Sequence, residues 1–583
     1  MKELFRDAWR RDKKGFLSIL LLNIAVSMTS GISIVMLVPM LGLLDISQAS
    51  VSALSVITAP LQGLSYATQV CVLIALYFCL VVFKALLSRA LSLRESSFLE
   101  DYTYNLRDGL YRLVSRADWE KLAASRQSDT INLFTSQCSQ VSRGVAEVIH
   151  LISSVFSAAV QLAVAVWLSL PVTLFVIVCG GAYVFAFRRM FRISKEHGEE
   201  MIRISRSLYA ELFSQLRSIK ETRAYHVERE HAALFDEISD QCRQATLKYV
   251  RQQSIPSAVY SCAAAFMIGV IFVVCVLFFR MDTARLMVLV YVFMRLWPVF
   301  SGFYGRIQSI LSCVPAFEKL QEAFDSLKQR SEEPRELSPL SFEREIVFDR
   351  VSFAYQGSEE KVLSDVSFTL RKGTITALVG RSGAGKTTAA DLLLGFLVPT
   401  SGEIRIDGVP LTRENLSAWR HSMGYIPQEP LILNASVREN LTRFHPGATQ
   451  DAMIEALKRA QVWPLIEGMK DGLDTQLGDE GVRLSGGERQ RIVLARVLLG
   501  NPRLIIMDEA TSAMDYESET AVRQAIRALG SDVTVLVIAH RLATVRTAEY
   551  AVVIEDGTVS ESGALRDLFA AENSYLSRLL YVE

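Results

Sequence analysis

The chain has 583 residues, half of them hydrophobic, with a formal net charge of zero and a mean hydropathy of +0.25. This length exceeds one compact domain, the apolar excess argues against a wholly soluble protein, and the charge balance gives no bulk attraction to nucleic acid. The eight cysteines form no Cys-x-x-Cys pair and stop at Cys313, so they read as small hydrophobes rather than as a metal or disulfide framework.

Met1–Lys14 carries mixed charge and leads into a long apolar stretch with no small-residue cleavage site, which predicts a retained membrane helix rather than a removed signal. Six runs are long enough to cross a bilayer: Phe16–Leu44, Val70–Leu91, Val145–Leu170, Pro171–Phe187, Val259–Phe279 and Leu286–Phe303. Leu170-Pro171 marks a tight turn between the third and fourth. The alternative is five spans with one broken helix, but roughly 40 apolar residues are too many for one crossing. Lysine and arginine crowd the N-terminal segment, the stretch from Arg94 to Arg143 and the stretch from Arg188 to Arg251, while Asp45–Gln69 has none. Both termini and both long charged segments are therefore expected in the cytosol, with Arg280 and Arg285 a minor exception.

Glu100–Gln140 and Ile193–Arg251 have few Gly or Pro and keep an apolar period, as in Leu208, Leu212, Leu216 and Ile219. They are expected to continue the membrane helices into the cytosol rather than form separate hairpins. Lys84 sits near a span end and can snorkel. Arg295 falls near the middle of the sixth run with no Asp or Glu at its depth. It either faces a water-filled cavity or attracts an anionic group on a cargo. Pro315–Leu340 reads as a charged linker with Pro334 and Pro339, after which strands alternate with helices in an α/β pattern.

Thr374–Val379 reads as a short buried strand feeding Gly380-Arg381-Ser382-Gly383-Ala384-Gly385-Lys386-Thr387, with a helix from Thr388. In such a loop backbone N–H groups cradle phosphate, Lys386 neutralises the β- and γ-phosphates of ATP, and Thr387 ligates Mg²⁺. Leu504–Met507 is a second strand, ending in Asp508, which suits Mg²⁺, and Glu509, which suits polarising the attacking water. A third strand, Val533–Ile538, is followed by His540. Ligands of doubly wound sheets gather at the carboxyl ends of the strands, where Gly380, Asp508 and His540 all fall. Leu484-Ser485-Gly486-Gly487-Glu488-Arg489-Gln490 opens a helix that runs to Leu499 and stops at Gly500-Asn501-Pro502. A capping box accounts for Ser485 and Glu488. It does not account for two glycines in a first turn, which weaken a helix but bare its N–H groups to an anion.

Together these segments resemble the ATP-binding cassette (ABC) transporter family over nearly the whole chain, in its exporter-type half-transporter form. The implied fold is an α-helical membrane domain of six transmembrane helices with cytosolic extensions, plus an α/β P-loop NTPase domain. The implied boundaries are 1–320 for the transmembrane domain, 321–340 for the linker and 341–583 for the cassette. The resemblance assigns further roles. Ser485, Gly486 and Gly487 contact the γ-phosphate held by another cassette across a head-to-tail dimer, and Asp515 in Ser512-Ala513-Met514-Asp515 belongs to a loop at that seam. Tyr355 stacks on adenine, Gln428 joins Mg²⁺ and the attacking water to the membrane-facing surface, and His540 senses the γ-phosphate. Arg381, Ser382, Ala384 and Thr388 complete the nucleotide contacts. Thr475–Gly481 resembles a segment that precedes the signature in exporters, with Asp479 where glutamate is usual. Coupling helices are expected near Ala117–Ser125 and Thr222–Arg229, with the run Ser218–Tyr225 and Glu228 resembling the second.

The implied activity is ATP hydrolysis coupled to movement of an amphiphilic solute, lipid or peptide across the cytoplasmic membrane, with export the leading direction. Import of a siderophore-like solute on the same fold, and an ATP-gated channel or regulatory subunit, are the alternatives. The implied partners are ATP, Mg²⁺, membrane lipid, the cargo and a second half-transporter, with no nucleic acid. No ATP-site position is degenerate, which favours a homodimer and leaves a heterodimer open.

Overall fold

A computed structural model of the chain describes residues 2–42, 65–168, 170–277, 283–328, 340–358, 360–508, 516–528, 532–539, 542–571 and 574–576. The chain divides into two compact units: Met1–Ala117 with Lys121–Ser331, and Asp118–Glu120 with Glu332–Glu583.

The first unit is helical: α1 (Lys2–Arg11), α2 (Lys13–Gly42), α3 (Tyr66–Val114), α4 (Trp119–Ala124), α5 (Gln127–Asn132), α6 (Cys138–Leu168), α7 (Leu170–Ala186), α8 (Met190–Arg217), α9 (Ile219–Ala224), α10 (Glu228–Leu277) and α11 (Thr283–Lys328). The six apolar runs fall on α2, α3, α6, α7, α10 and α11. Among the described residues four stretches are each long and apolar enough to cross a membrane: Lys13–Ser33, Ala67–Val114, Gln127–Ala163 and Glu228–Val270. Thr173–Ala186 with Phe191–Arg217 qualifies as a bent pair, and α11 is not among the stretches that qualify.

α3 has 49 residues and α10 has 50. At about 1.5 Å per residue each is roughly 74 Å long, more than twice the ~30 Å hydrocarbon core. These helices continue well past any membrane segment, as expected. The fourth run does not continue straight. The chain bends by 44° between α7 and α8. There Arg188 N–H reaches back only to Phe185, at 3.3 Å, and Phe191 N–H to Arg188, at 3.2 Å, which tightens the turn and turns the axis.

One expectation needs correction. Pro315 does not open a linker. It lies inside α11, which runs on to Lys328. Burial of Ala316, Phe317 and Leu320 on one side of that helix outweighs the backbone bond that proline forfeits. The second short helix lies at Ile219–Ala224, within the expected run Ser218–Tyr225, and His226 at φ +56° separates it from α10. The first, at Trp119–Ala124, falls inside the expected Ala117–Ser125. Arg280 and the side chain of Arg295 lie outside the described residues.

The second unit has two sheets. β1 (Glu345–Phe353), β2 (Leu363–Arg371), β4 (Ser401–Ile406) and β5 (Val409–Pro410) form an antiparallel sheet in the order β2-β1-β4-β5. β3 (Ile375–Val379), β6 (Met423–Ile426), β7 (Leu504–Asp508), β8 (Thr534–Ile538), β9 (Tyr550–Glu555) and β10 (Thr558–Ala564) form the other, in the order β10-β9-β3-β8-β7-β6. All its pairs are parallel except β9 with β10. β7 and β8 are buried along their whole length and are apolar at nearly every position, as a sheet covered on both faces requires.

The period-2 alternation divides this sheet between two cores. Ala377, Ile505, Met507, Val535 and Val537 belong to one. Leu378, Leu504, Ile506, Leu536 and Ile538 belong to the other. The helix after β3, α12 (Lys386–Leu393), buries Ala389, Leu392 and Leu393 in the second core. The helix before β7, α13 (Gly486–Leu499), buries Ile492, Val493 and Leu498 in the first. The two helices therefore cover opposite faces.

Candidate functional site

Four neighbouring parallel strands bring their carboxyl ends to one edge of the sheet. β3 is followed directly by Gly380, β7 ends on Asp508, and β6 is followed two residues later by Gln428, which is exposed. The sequence expectations Glu509, His540 and Ser512–Asp515 lie outside the described residues.

The loop after β3 has the backbone its glycines allow. Gly383 adopts φ +82° with nothing within 4 Å of where a Cβ would stand, so conformation alone selects glycine there. Gly385 adopts φ +100°, and a Cβ would meet Leu363 Cδ2 at 2.6 Å and the Val362 carbonyl oxygen at 3.1 Å. Gly385 also precedes α12 without a side-chain cap, so the first N–H groups of that helix are left to a ligand. Lys386 is only 5% exposed, and its ammonium donates to the carbonyl oxygens of Gly380 at 2.9 Å and Arg381 at 2.8 Å. Arg381, Ser382 and Thr387 are exposed, while Ala384 and Thr388 are buried. Tyr355 is held edge-on against Phe353, at 5.0 Å between centroids, and its hydroxyl lies 3.4 Å from Thr388 Oγ1. The ring is 42% exposed beside α12, which leaves it open to stack on a base.

Asp508 acts on two neighbouring groups. Burial, and then the charge of Asp508, push the Asp391 carboxyl up to about 6. Burial, then Asp508 and Asp391, push the Tyr425 phenol up to about 12. A divalent cation relieves such crowding. Among the described residues no three His, Cys, Asp or Glu side chains group to hold a metal. Asp508 is an oxygen donor of the kind that suits an ion taking one or two protein ligands and filling the rest of its shell from phosphate and water, as Mg²⁺ does.

Asp391 was not singled out from the sequence. Its signal is an acid inside Ala-Ala-Asp-Leu-Leu-Leu, where every neighbour is apolar. Because its folded value lies above the ordinary 3.8, stability is lost as pH rises from about 4 to about 6. The gap corresponds to about 3 kcal/mol at full ionisation. Asp391→Asn should therefore raise the melting temperature of the full chain at pH 7.5 and leave it unchanged at pH 4. Equal shifts at both values would show that the charge is not the cause.

Ser485 and Glu488 form the capping box: Glu488 N–H donates to Ser485 Oγ at 3.3 Å, and Ser485 N–H donates to Glu488 Oε2 at 2.8 Å. α13 ends at Gly500, as read from the sequence. Further along it lies a second residue that sequence reading missed. Arg496 is 7% exposed and donates through Nε to the Asn440 carbonyl, through Nη1 to the Leu431 carbonyl and through Nη2 to Asn440 Oδ1, each at 3.0 Å. Its guanidinium also lies 4.2 Å over the Phe444 ring, and burial lowers its pKa to about 10. Asn440 in turn donates to the Leu433 carbonyl at 3.0 Å and accepts from Leu433 N–H at 2.9 Å. The pair fixes the chain three residues past Gln428 to the helix that Ser485 caps. A cation within Ile-Val-Leu-Ala-Arg-Val-Leu-Leu was the available signal.

The family model described as ABC transporter matches residues 363–512. A putative multidrug export ATP-binding/permease protein of Staphylococcus aureus is 38% identical over 259 residues, 44% of this chain and 44% of that protein. The match thus spans less than half the length of these curated relatives. The heterocyst differentiation ATP-binding protein HepA of Nostoc is 29% identical over 81% of this chain and 78% of its own length. The solved structure of a bacterial Atm1-family ABC exporter with ATP bound superposes with a TM-score of 0.80 over 98% of both chains, at 22% identity. Residues 363–512 are an ABC transporter domain, set in a chain that has the fold of an ABC exporter.

Proposed function

We propose that this chain is one half of an ATP-hydrolysing ABC transporter that moves an amphiphilic solute, lipid or peptide outward across the cytoplasmic membrane by alternating access. Residues 1–320 and the helical end of α11 to Lys328 form its membrane domain, and 341–583 form its cassette. Both termini are cytosolic, which the Lys and Arg distribution supports. Lys386 and the N–H groups from Gly380 to Thr388 hold the phosphates of ATP, Tyr355 takes the adenine, and Glu509 draws the proton from the attacking water while His540 holds the γ-phosphate side. Thr387, Gln428 and Asp508 would hold Mg²⁺, which when bound neutralises charge on the phosphates.

The observation that carries the reading is the pairing of a phosphate loop at the end of β3 with a second glycine-opened helix N-terminus at Ser485. α12 and α13 pack in different cores on opposite faces of the sheet, which supports a signature that serves the nucleotide of a second chain. A second chain can supply it, with Ser485, Gly486, Gly487 and Asp515 at the seam. The undegenerate motifs support a homodimer. The name of the Staphylococcus relatives supports export.

The test is paired metabolite and lipid profiling of cells and medium, comparing native protein with Glu509→Gln. At least one amphiphile should accumulate in the variant cells and disappear from their medium. An amphiphile left in the medium and depleted inside would establish import instead.

A further inference from the structure

A cavity of about 670 Å³ lies within the first unit, between α1, α2 and α6. α1 is amphipathic. Leu4 and Ala8, one turn apart, are 1% and 0% exposed and anchor it in the helical core beside Tyr102 and Val145. Its next face, also at one-turn spacing, carries Phe5 and Trp9, whose rings stack at 6.3 Å and meet Phe16 edge-on at 5.5 and 5.6 Å. Those two rings form one wall of the cavity. Leu20 of α2, with Val148, Ile152 and Phe156 on one face of α6, forms the other. Both α2 and α6 belong to stretches apolar enough to cross a membrane.

The cavity wall is almost wholly apolar. The ionisable residues along it are Lys2 and Arg6, and no Asp or Glu lines it. Asp7, the acid nearest Arg6 in sequence, is engaged elsewhere, accepting from the Tyr102 hydroxyl at 2.6 Å and Arg11 Nε at 2.9 Å. Among the described residues neither Lys2 nor Arg6 has an ion-pair partner. An apolar cleft lined by an indole and the stems of two cations that have no ion-pair partner among the described residues suits an amphiphile with a negative head. Its volume falls within the about 300–1,000 Å³ of small-molecule sites.

We propose that this cavity binds one anionic phospholipid of the cytoplasmic leaflet. An acyl chain fills the cleft between α1, α2 and α6, and Lys2 and Arg6 bridge the phosphate. The placement in the cytoplasmic leaflet rests on the transporter reading above. The occupant is a bilayer lipid rather than free phosphate, because the wall that Phe5, Trp9 and α6 present can only be satisfied by hydrocarbon.

The test uses the full chain purified in neutral detergent and analysed by native mass spectrometry. Phosphatidylglycerol and phosphatidylcholine of identical acyl chains are titrated separately. One phosphatidylglycerol per chain should be retained in preference to phosphatidylcholine. Lys2→Gln with Arg6→Gln should weaken phosphatidylglycerol about 30-fold, from two surface cations, and leave phosphatidylcholine unchanged. Ile152→Trp, which fills the cleft, should weaken both lipids. Glycerol phosphate in excess should displace neither. Equal retention of the two lipids, or phosphatidylglycerol binding that survives the double Gln variant, would overturn the site. ATP turnover of the same preparations separates the two readings: a chain that binds phosphatidylglycerol selectively yet never hydrolyses ATP would overturn the transporter reading and leave the lipid site standing.

Discussion

Lys386→Ala should lower ATP turnover of the full chain by about 10²- to 10³-fold, the usual cost of removing one preorganised charge from a developing oxyanion. The side chain is buried, and its ammonium is already aimed at the loop interior by the carbonyls of Gly380 and Arg381. That preorganisation is why the loss is large. It means that little is spent on ordering the lysine when phosphate arrives. Phosphate release by the purified protein, with melting temperature as a control, measures it. A folded variant that keeps more than a tenth of native turnover would show that Lys386 is a loop strut rather than a phosphate ligand.

Arg496→Met should destabilise the cassette by about 3 kcal/mol, a net of two opposed effects. Burial already strains the guanidinium, lowering it from 12.5 to about 10, and methionine would recover about 3 kcal/mol of that. Against this stand three charge-assisted hydrogen bonds, worth about 1.5–3 kcal/mol each, and a cation–π contact. The bonds win because the Leu431 and Asn440 carbonyls are left without their donor. Arg496→Lys should recover less than half the loss, since an ammonium cannot reproduce the fork. Thermal melts of the three proteins decide the matter, and a methionine variant as stable as native would mean the desolvation cost dominates.

How far the sequence could be read depended on whether a property was local. The Gly380–Thr387 loop and the Ser485–Gly500 helix were legible because strand, cap and terminator each sit within a few residues of one another. The strands after which ligands gather were legible because both-face burial leaves near-continuous apolar runs. Pro315 misled because a local rule, proline as a breaker, was outweighed by packing of Ala316, Phe317 and Leu320 against residues remote in sequence. Asp391 and Arg496 were missed for the same reason in reverse. Each is a single charge in an apolar helical run, and only the fold supplies what it faces, Asp508 for the first and the Leu431 carbonyl for the second.

The division of the six-stranded sheet between two cores also bears on inheritance. If each site is completed by a neighbour's α13, the gene and the catalytic centre are not the same unit. A chain without Lys386 would still lend its intact Ser485 to a normal partner, and a chain with a damaged signature would still hold nucleotide for another. In a cell making both defective kinds, mixed pairs would contain one whole site that neither parent possesses. A single allele's defect would be felt at its neighbour's nucleotide, so genetic dominance would be set by geometry, through which face of one sheet a helix happens to cover.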